Sequence, residues 1–235
     1  MSIHQHRVVS GTMFTVVLCL WPLFMALAPH DGTVSEQFQW IQAHRPLHIA
    51  QFVFALLLSP TLVYLMLAQI GPVLTRDSIP VRLGMFFLTA YLVLNSIAYG
   101  SQLVVLPHLI ERGTEAQAIL WSMNSPTSLI YFLNQMGYCF WGGGTLLLFY
   151  HRVAVPGMIR VVSLIYLISA TLSILAFVGL ILANPTLNSF TLYSGLLLLP
   201  VGIITVVWGW QDSKHQYTAS GTVESVQSAD TTFKD

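Results

Sequence analysis

Two groups of residues in this 235-residue chain have the types and spacing to do chemistry. The first is a set of imidazoles in two hydrophilic stretches, 29–47 and 107–128. His30, His44 and His108 fall there and His48 directly follows the first, with Asp31, Glu36, Glu111, Arg112 and Glu115. Imidazole binds metals and exchanges protons near neutral pH, so a metal, haem or acid–base site has to be weighed. His44 and His48 are four apart, the spacing that puts two ligands on one helix face. Pro46 counts against that pair, because proline favours the first helical turn and leaves His44 outside the helix. His48 and His108 each close an apolar stretch and form the pair that a bis-imidazole haem would need. The run Pro107–Gly113 reads as a last helical turn with His108 and Arg112 on one face and Glu111 beside them. A Glu–His pair can act as general acid and base on a lipid headgroup, which makes His108, Glu111 and Arg112 the catalytic candidates. The plainer reading is preferred: solvated or capping histidines, with Arg112 favourable at a helix C-terminus.

The second group is uncharged and lies inside apolar stretches. Tyr91, Asn95, Ala98 or Tyr99, and Gln102 recur at i, i+4, i+7/8 and i+11, one helix face. Tyr131, Asn134, Gln135, Tyr138, Trp141 and Thr145 repeat the pattern, as do Ser163, Tyr166, Ser169 and Ser173, while Gln51 and Ser59 add to it. Amides and hydroxyls facing lipid would be unsatisfied, so these faces should turn inward. They can serve as interhelical glue, at about 0.6 kcal/mol per bond. They can equally tip a cavity that holds a ligand, with Tyr91, Asn95, Gln102, Asn134, Tyr138 and Trp141 as its binding residues. Gly137 and Gly142–Gly144 allow the close backbone approach that either reading needs. Pro22, Pro60 and Pro200 should kink three helices and leave room between them.

Composition sets the elements that position these residues. Hydrophobic residues make up 55% of the chain and charged residues 8%, against about 25% charged in an ordinary soluble domain. That deficit excludes a soluble globular protein, a disordered chain and a nucleic-acid binder, and the balance of nine cations with nine anions leaves no net field to attract an acidic partner. Six stretches approach the roughly 20 apolar residues of a membrane span: Val8–Ala28, His48–Ile70, Arg82–Leu106, Leu129–Tyr150, Arg160–Ala183 and Phe190–Trp210. The first is read as an uncleaved span, being longer than a signal peptide's apolar core and followed by Pro29. Arg7, Arg76, Arg82, Arg152, Arg160, Lys214 and Lys234 would share one side, against Arg45 and Arg112 on the other. That bias predicts cytoplasmic termini. Trp208, Trp210 and Tyr150 suit interfacial anchoring. Cys19 and Cys139 lie in apolar runs and suggest neither a disulfide nor a zinc site.

No charged residue falls in the middle of a span, which weighs against ion-coupled transport. No span offers a lysine for retinal. The two long loops should carry short helices, one capped by Ser35 and one, Glu115–Trp121, capped by Thr114. The tail 212–235 is rich in Ser, Thr, Gln and Asp and is expected to be disordered.

The segment Ser125-Pro-Thr-Ser-Leu-Ile-Tyr-Phe-Leu-Asn-Gln-Met-Gly-Tyr138 resembles a widespread group of prokaryotic six-span membrane proteins of no settled activity. Their counterpart tends to read Asn-Pro-x-Ser, then Leu-Asp, then Leu-Gly-Tyr. Here Ser125 stands for the Asn, and Asn134 stands where an Asp is frequent. The resemblance covers spans three and four and implies their topology only. The expectation is an all-α polytopic bundle of six transmembrane helices over 1–211, in the inner cell membrane, with membrane lipids and a small apolar ligand as partners. It assigns no cofactor and no metal. The leading function is to bind, sense or move an apolar or amphipathic molecule. The alternatives are a membrane-embedded lipid or isoprenoid enzyme with an outer His/Glu site and a haem-b electron carrier.

Overall fold

The computed structural model describes residues 1–28, 33–74 and 78–213, and every regular element among them is helical. In chain order these are α1 (Ile3–Ala26), α2 (Val34–Ala43), α3 (Arg45–Leu74), α4 (Ile79–Glu111), α5 (Glu115–Leu120) and α6 (Leu129–Phe149). A 3-10 turn, Tyr150–Ala154, leads to α7 (Met158–Ile181), α8 (Pro185–Asn188) and α9 (Phe190–Leu196). A final helix, α10, covers 199–213.

Five helical stretches are long and apolar enough to cross a membrane: α1, α3 over Arg45–Gly71, α4, α7, and the run Pro185–Ser213 that holds α8 to α10. The six expected spans are met in five. Helix α6 is the exception, because Asn134, Gln135 and Gly142–Gly144 dilute its apolar residues.

The large helices form a ring in which neighbours in sequence are neighbours in space: α1 on α3, α3 on α4, α4 on α6, α6 on α7, and α7 on α9. Helix α10 closes the ring on α1, where a Cβ on Gly11 would lie 2.8 Å from the Gly202 carbonyl oxygen. One end of the bundle carries α2, α5 and α8 and is here called the loop end. The other, the terminal end, holds the start of α1 and the end of α10, joined by an Arg7–Asp212 ion pair and by the Arg7 guanidinium 3.8 Å over the Trp208 ring.

The polarity of these helices is inverted relative to a soluble protein. On α4, Phe86, Val93, Ile97 and Val104 are exposed, whereas Tyr91, Asn95 and Gln102 are buried. On α7, Val161, Leu164 and Ile168 face out and Ser163, Tyr166, Ser169 and Ser173 are fully buried. An apolar exterior around a polar-spotted interior is what hydrocarbon solvent selects.

Small residues set how closely the helices pack. A Cβ on Gly144 would meet the Gly84 carbonyl oxygen at 2.9 Å, and one on Gly142 would meet that of Ala170 at 2.7 Å. Backbone against backbone at these two crossings maximises dispersion contact where no hydrophobic effect draws helices together.

The last span breaks near its middle. Pro200 has no N–H to continue the ladder, and the chain turns at Leu197–Leu198 before α10 resumes. Helices α1 and α3 run unbroken through Pro22 and Pro60, and the Thr61 hydroxyl bonds the carbonyls of Leu57 and Leu58 beside Pro60.

Helix ends correct two expectations. Thr33, not Ser35, caps α2, in a reciprocal box with Glu36: the Thr33 N–H donates to Glu36 Oε2 at 2.6 Å and the Glu36 N–H to Thr33 Oγ1 at 3.3 Å. Ser35 sits inside the first turn, and the box needs Glu at the third helical position, which only Thr33 satisfies. Thr114 precedes α5 as expected, but its hydroxyl donates to the Leu109 carbonyl instead of capping. Gly113, at φ 69°, ends α4 as expected. Asp212 and Ser213 belong to α10 rather than to a tail; 214–235, His30, Asp31 and Arg76 lie outside the described residues.

Two outcomes are expected. Gly144→Ala should destabilise the bundle by about 1–3 kcal/mol, read as a lower unfolding temperature in detergent. Gly100→Ala, with nothing within 4 Å of its Cβ, should not. The Thr33 hydrogen bonds hold the Glu36 carboxylate below its usual range, so their contribution is full above the unfolded value of about 4.3 and fades as pH falls through the folded one. Relative to the intrinsic exchange rate at each pH, protection of the Thr33 amide should therefore fall on acidification in the wild type and lose that pH dependence in Glu36→Gln.

Candidate functional site

At the loop end, the three described imidazoles, His44, His48 and His108, do not converge on one centre. His44 ends α2, with its ring stacked on Trp40 at 5.2 Å and Nδ1 3.3 Å from the Trp40 carbonyl oxygen. His48 is buried on α3, and its Nε2 donates to the Gln102 carbonyl of α4 at 2.9 Å. His108 is exposed. It follows Gln102 by six residues, about 9 Å along the helix, so the two imidazoles stand at different heights rather than across one iron. Glu111 is not paired with His108; its carboxylate accepts from Arg45 at 2.6 Å. Both partners of that ion pair are about half exposed, which places it among surface bridges worth about 0–1 kcal/mol. Arg112 stands at the C-terminal cap of α4, where its backbone N–H donates to the His108 carbonyl. No three His, Cys, Asp or Glu side chains among the described residues are grouped as metal ligands.

The space around these groups is equally telling. The pocket beside His48 has a volume of about 30 Å³, room for about one or two waters and not for a lipid headgroup. A larger surface pocket of about 250 Å³ holds Arg45 and Glu111, but its wall does not include His108.

The uncharged polar residues sort into struts and a cavity lining. Gln102 is a strut. Its Nε2 donates to the Trp121 carbonyl at 2.6 Å and its Oε1 accepts from the Met123 N–H at 3.1 Å, so it ties the loop after α5 to the core. Asn95 donates to Ser59 at 3.2 Å and links α4 to α3. On α7, Ser169 and Ser173 share the Ser194 hydroxyl of α9, at 2.9 and 2.6 Å. Asn134 and Trp141 are buried on the face of α6 that also carries Gly137 and Gly144 toward α4. Asn134 Oδ1 and Trp141 Nε1 have no hydrogen-bond partner among the described residues, and neither side chain reaches the cavity described next.

Tyr91 and Tyr138 do line a cavity. Their rings are 5.9 Å apart, and the Tyr138 hydroxyl pairs with that of Tyr99 at 2.8 Å. The cavity measures about 380 Å³ and lies inside the ring, from mid-membrane to the loop end, within the ordinary range of ligand sites. Its deep wall is apolar: Phe14 and Leu18 of α1, Leu58 and Leu62 of α3, and Leu198 at the break. Its shallow end is polar: Tyr131 and Gln135 of α6 face Asn188 and Thr191. Asn188 Nδ2 donates to the Tyr131 hydroxyl at 2.7 Å, and the Thr191 hydroxyl donates to Gln135 Oε1 at 2.7 Å. Trp21 and Met25 of α1 form one lip, with exposed Ser189 and Leu192 on the other. Since α9 packs on α7 while α10 closes on α1, the cavity opens sideways between α1 and α9.

Of the six expected binding residues, Tyr91 and Tyr138 line this cavity, whereas Asn95, Gln102, Asn134 and Trp141 serve packing. Sequence reasoning placed Tyr131 and Gln135 on the right face without singling them out. It missed Asn188 and Thr191 because Asn184–Ser189 read as a plain turn. The i, i+3 spacing of those two polar residues at the start of an apolar run was the available signal.

Comparison with protein-family models, with curated proteins and with solved structures matched none of them.

If Gln102 is a strut, Gln102→Leu leaves the Trp121 carbonyl and the Met123 N–H without their partner. The expected cost is about 1–3 kcal/mol of stability, with faster amide exchange at Met123, and with ligand occupancy of the neighbouring cavity unchanged in the folded fraction.

Proposed function

We propose that this is a multi-pass protein of the inner cell membrane that binds an apolar or amphipathic small molecule in an uncharged intramembrane cavity. The observation that carries this reading is the 380 Å³ space inside the helix ring, with apolar depth and an amide- and hydroxyl-lined rim. No Asp, Glu, Lys or Arg among the described residues lines it. A site without fixed charge suits a molecule that partitions into lipid, and it offers nothing to an ion-coupled carrier.

The same proposal makes α6 the sixth span. It is 21 residues long and packs between α4 and α7, both apolar enough to cross. Its polar face is buried, so lipid would meet Phe132 and Leu129 and not Asn134 or Gln135. Six spans put both termini on one side, and the seven-to-two cation bias favours the cytoplasm for that side. The likeness of Ser125–Tyr138 to a six-span group supports the same topology.

Mass spectrometry of small molecules that co-purify with the protein tests the binding reading. Gly195 lines the cavity and has nothing within 4 Å of where its Cβ would be, so Gly195→Phe can fill the space without a clash. An apolar or amphipathic compound enriched on the wild type and lost from Gly195→Phe is the expected result. Equal recovery from both proteins, or none from either, overturns it.

A further inference from the structure

We infer that the cavity's occupant is a neutral single-chain amphiphile with a hydroxyl or amide head, taken up sideways from the leaflet at the loop end. The inference rests on the binding reading above and narrows it to a chemical class and an entry route.

The head-group assignment follows from the rim. Asn188 donates through Nδ2 to Tyr131, while its Oδ1 is shut off from the cavity, so Asn188 positions the rim and presents no acceptor. Because the Tyr131 oxygen accepts that bond, its own proton is left to donate. Gln135 is likewise bound through Oε1, which leaves its amide N–H groups as donors. The rim thus offers donors from Tyr131 and Gln135 within one polar patch. A hydroxyl or amide oxygen accepts from them. A carboxylate or phosphate does not suit the site, since it finds no cation among the described lining residues to offset its desolvation. An all-hydrocarbon molecule would leave the buried Gln135 N–H groups unpaired.

The entry route follows from the direction of the polarity gradient. Polar groups sit at the loop end of the cavity and apolar ones at mid-membrane, the same order as head and tail in a lipid of that leaflet. An amphiphile can therefore move from leaflet to cavity by translation, without turning over and without dragging its head through hydrocarbon. The opening faces that leaflet because the last span is broken at Leu197–Leu198. Below the break α10 is held on α1 by the Gly11–Gly202 contact and by Arg7 with Asp212; above it α9 follows α7. The chain length that fits is short, because the apolar depth ends at Phe14 and Leu198 near mid-membrane.

The test uses the full-length protein in nanodiscs with two photoactivatable probes of the same acyl chain: a 1-monoacylglycerol and a lysophosphatidic acid. The expected result is saturable labelling by the monoacylglycerol near Trp21 and Leu192. Labelling should fall at least tenfold in Gly195→Phe and in Gln135→Leu. The lysophosphatidic acid should label the same residues at least tenfold more weakly. Thermal unfolding identifies any variant that fails to fold, and Tyr131→Phe, which removes the other rim donor, then serves as the second rim variant with a fall in labelling again expected. Equal labelling by both probes, lost in Gly195→Phe, overturns the neutral-head inference and leaves the cavity reading standing. Labelling that is unchanged in Gly195→Phe overturns both.

Discussion

A polar group in hydrocarbon has no water to turn to, and the architecture answers to that one constraint. Each unsatisfied amide or hydroxyl facing lipid would cost several kcal/mol, so the helices rotate until their Asn, Gln, Ser and Tyr side chains face one another. The ring arrangement follows. Tyr91, Asn95 and Gln102 direct α4 inward, while Ser163, Tyr166, Ser169 and Ser173 do the same for α7. Once inward, most find partners: Asn95 with Ser59, Tyr99 with Tyr138, and Ser169 with Ser194. The cavity is the part of the ring where opposing faces are too far apart to complete this pairing across the centre.

Glycine determines where that happens. At Gly144 on Gly84, and at Gly142 on Ala170, backbones touch and no space is left. At the loop end of α1 and α9 no such contact exists, and larger side chains such as Trp21 and Leu192 stand apart. Packing by small residues and the presence of a ligand-sized space are thus two results of one distribution of side-chain volume along the helices.

Much of this was legible in the chain. The apolar runs located the helices, and the i, i+4, i+7 recurrence of polar residues gave their buried faces, because burial in a membrane is written in the polar residues rather than in the apolar ones. Pro200 announced the break in the last span. Which polar residues would line a cavity was not legible, since Asn95 and Gln135 have the same chemistry and differ only in whether a partner helix lies within reach. The histidines show a related limit. Imidazoles clustered in sequence promise a site, yet His48 turns to a backbone carbonyl and Glu111 to Arg45, so their spacing described loop ends rather than a shared centre. Helix α6 shows the converse. Its low hydropathy comes from the polar and small residues that it turns inward, such as Asn134, Gln135 and Gly144.

The closure of the ring by α1 and α10 also bears on the order of assembly. The other main seams join helices consecutive in the chain, so those contacts can form as each helix follows the last into the bilayer, with little loop-closure entropy to overcome, whereas the Gln69–Thr205 bond between α3 and α10 also waits for the last helix. The Arg7–Asp212 pair joins residues 205 apart and has to wait for the final helix. Until α10 arrives, the terminal-end half of the side that carries the cavity mouth has no wall, and Gly11 and Arg7 lack their partners there. The first helix made can pack early on α3, but its seam with α10 closes only when the chain through Asp212 is in the membrane.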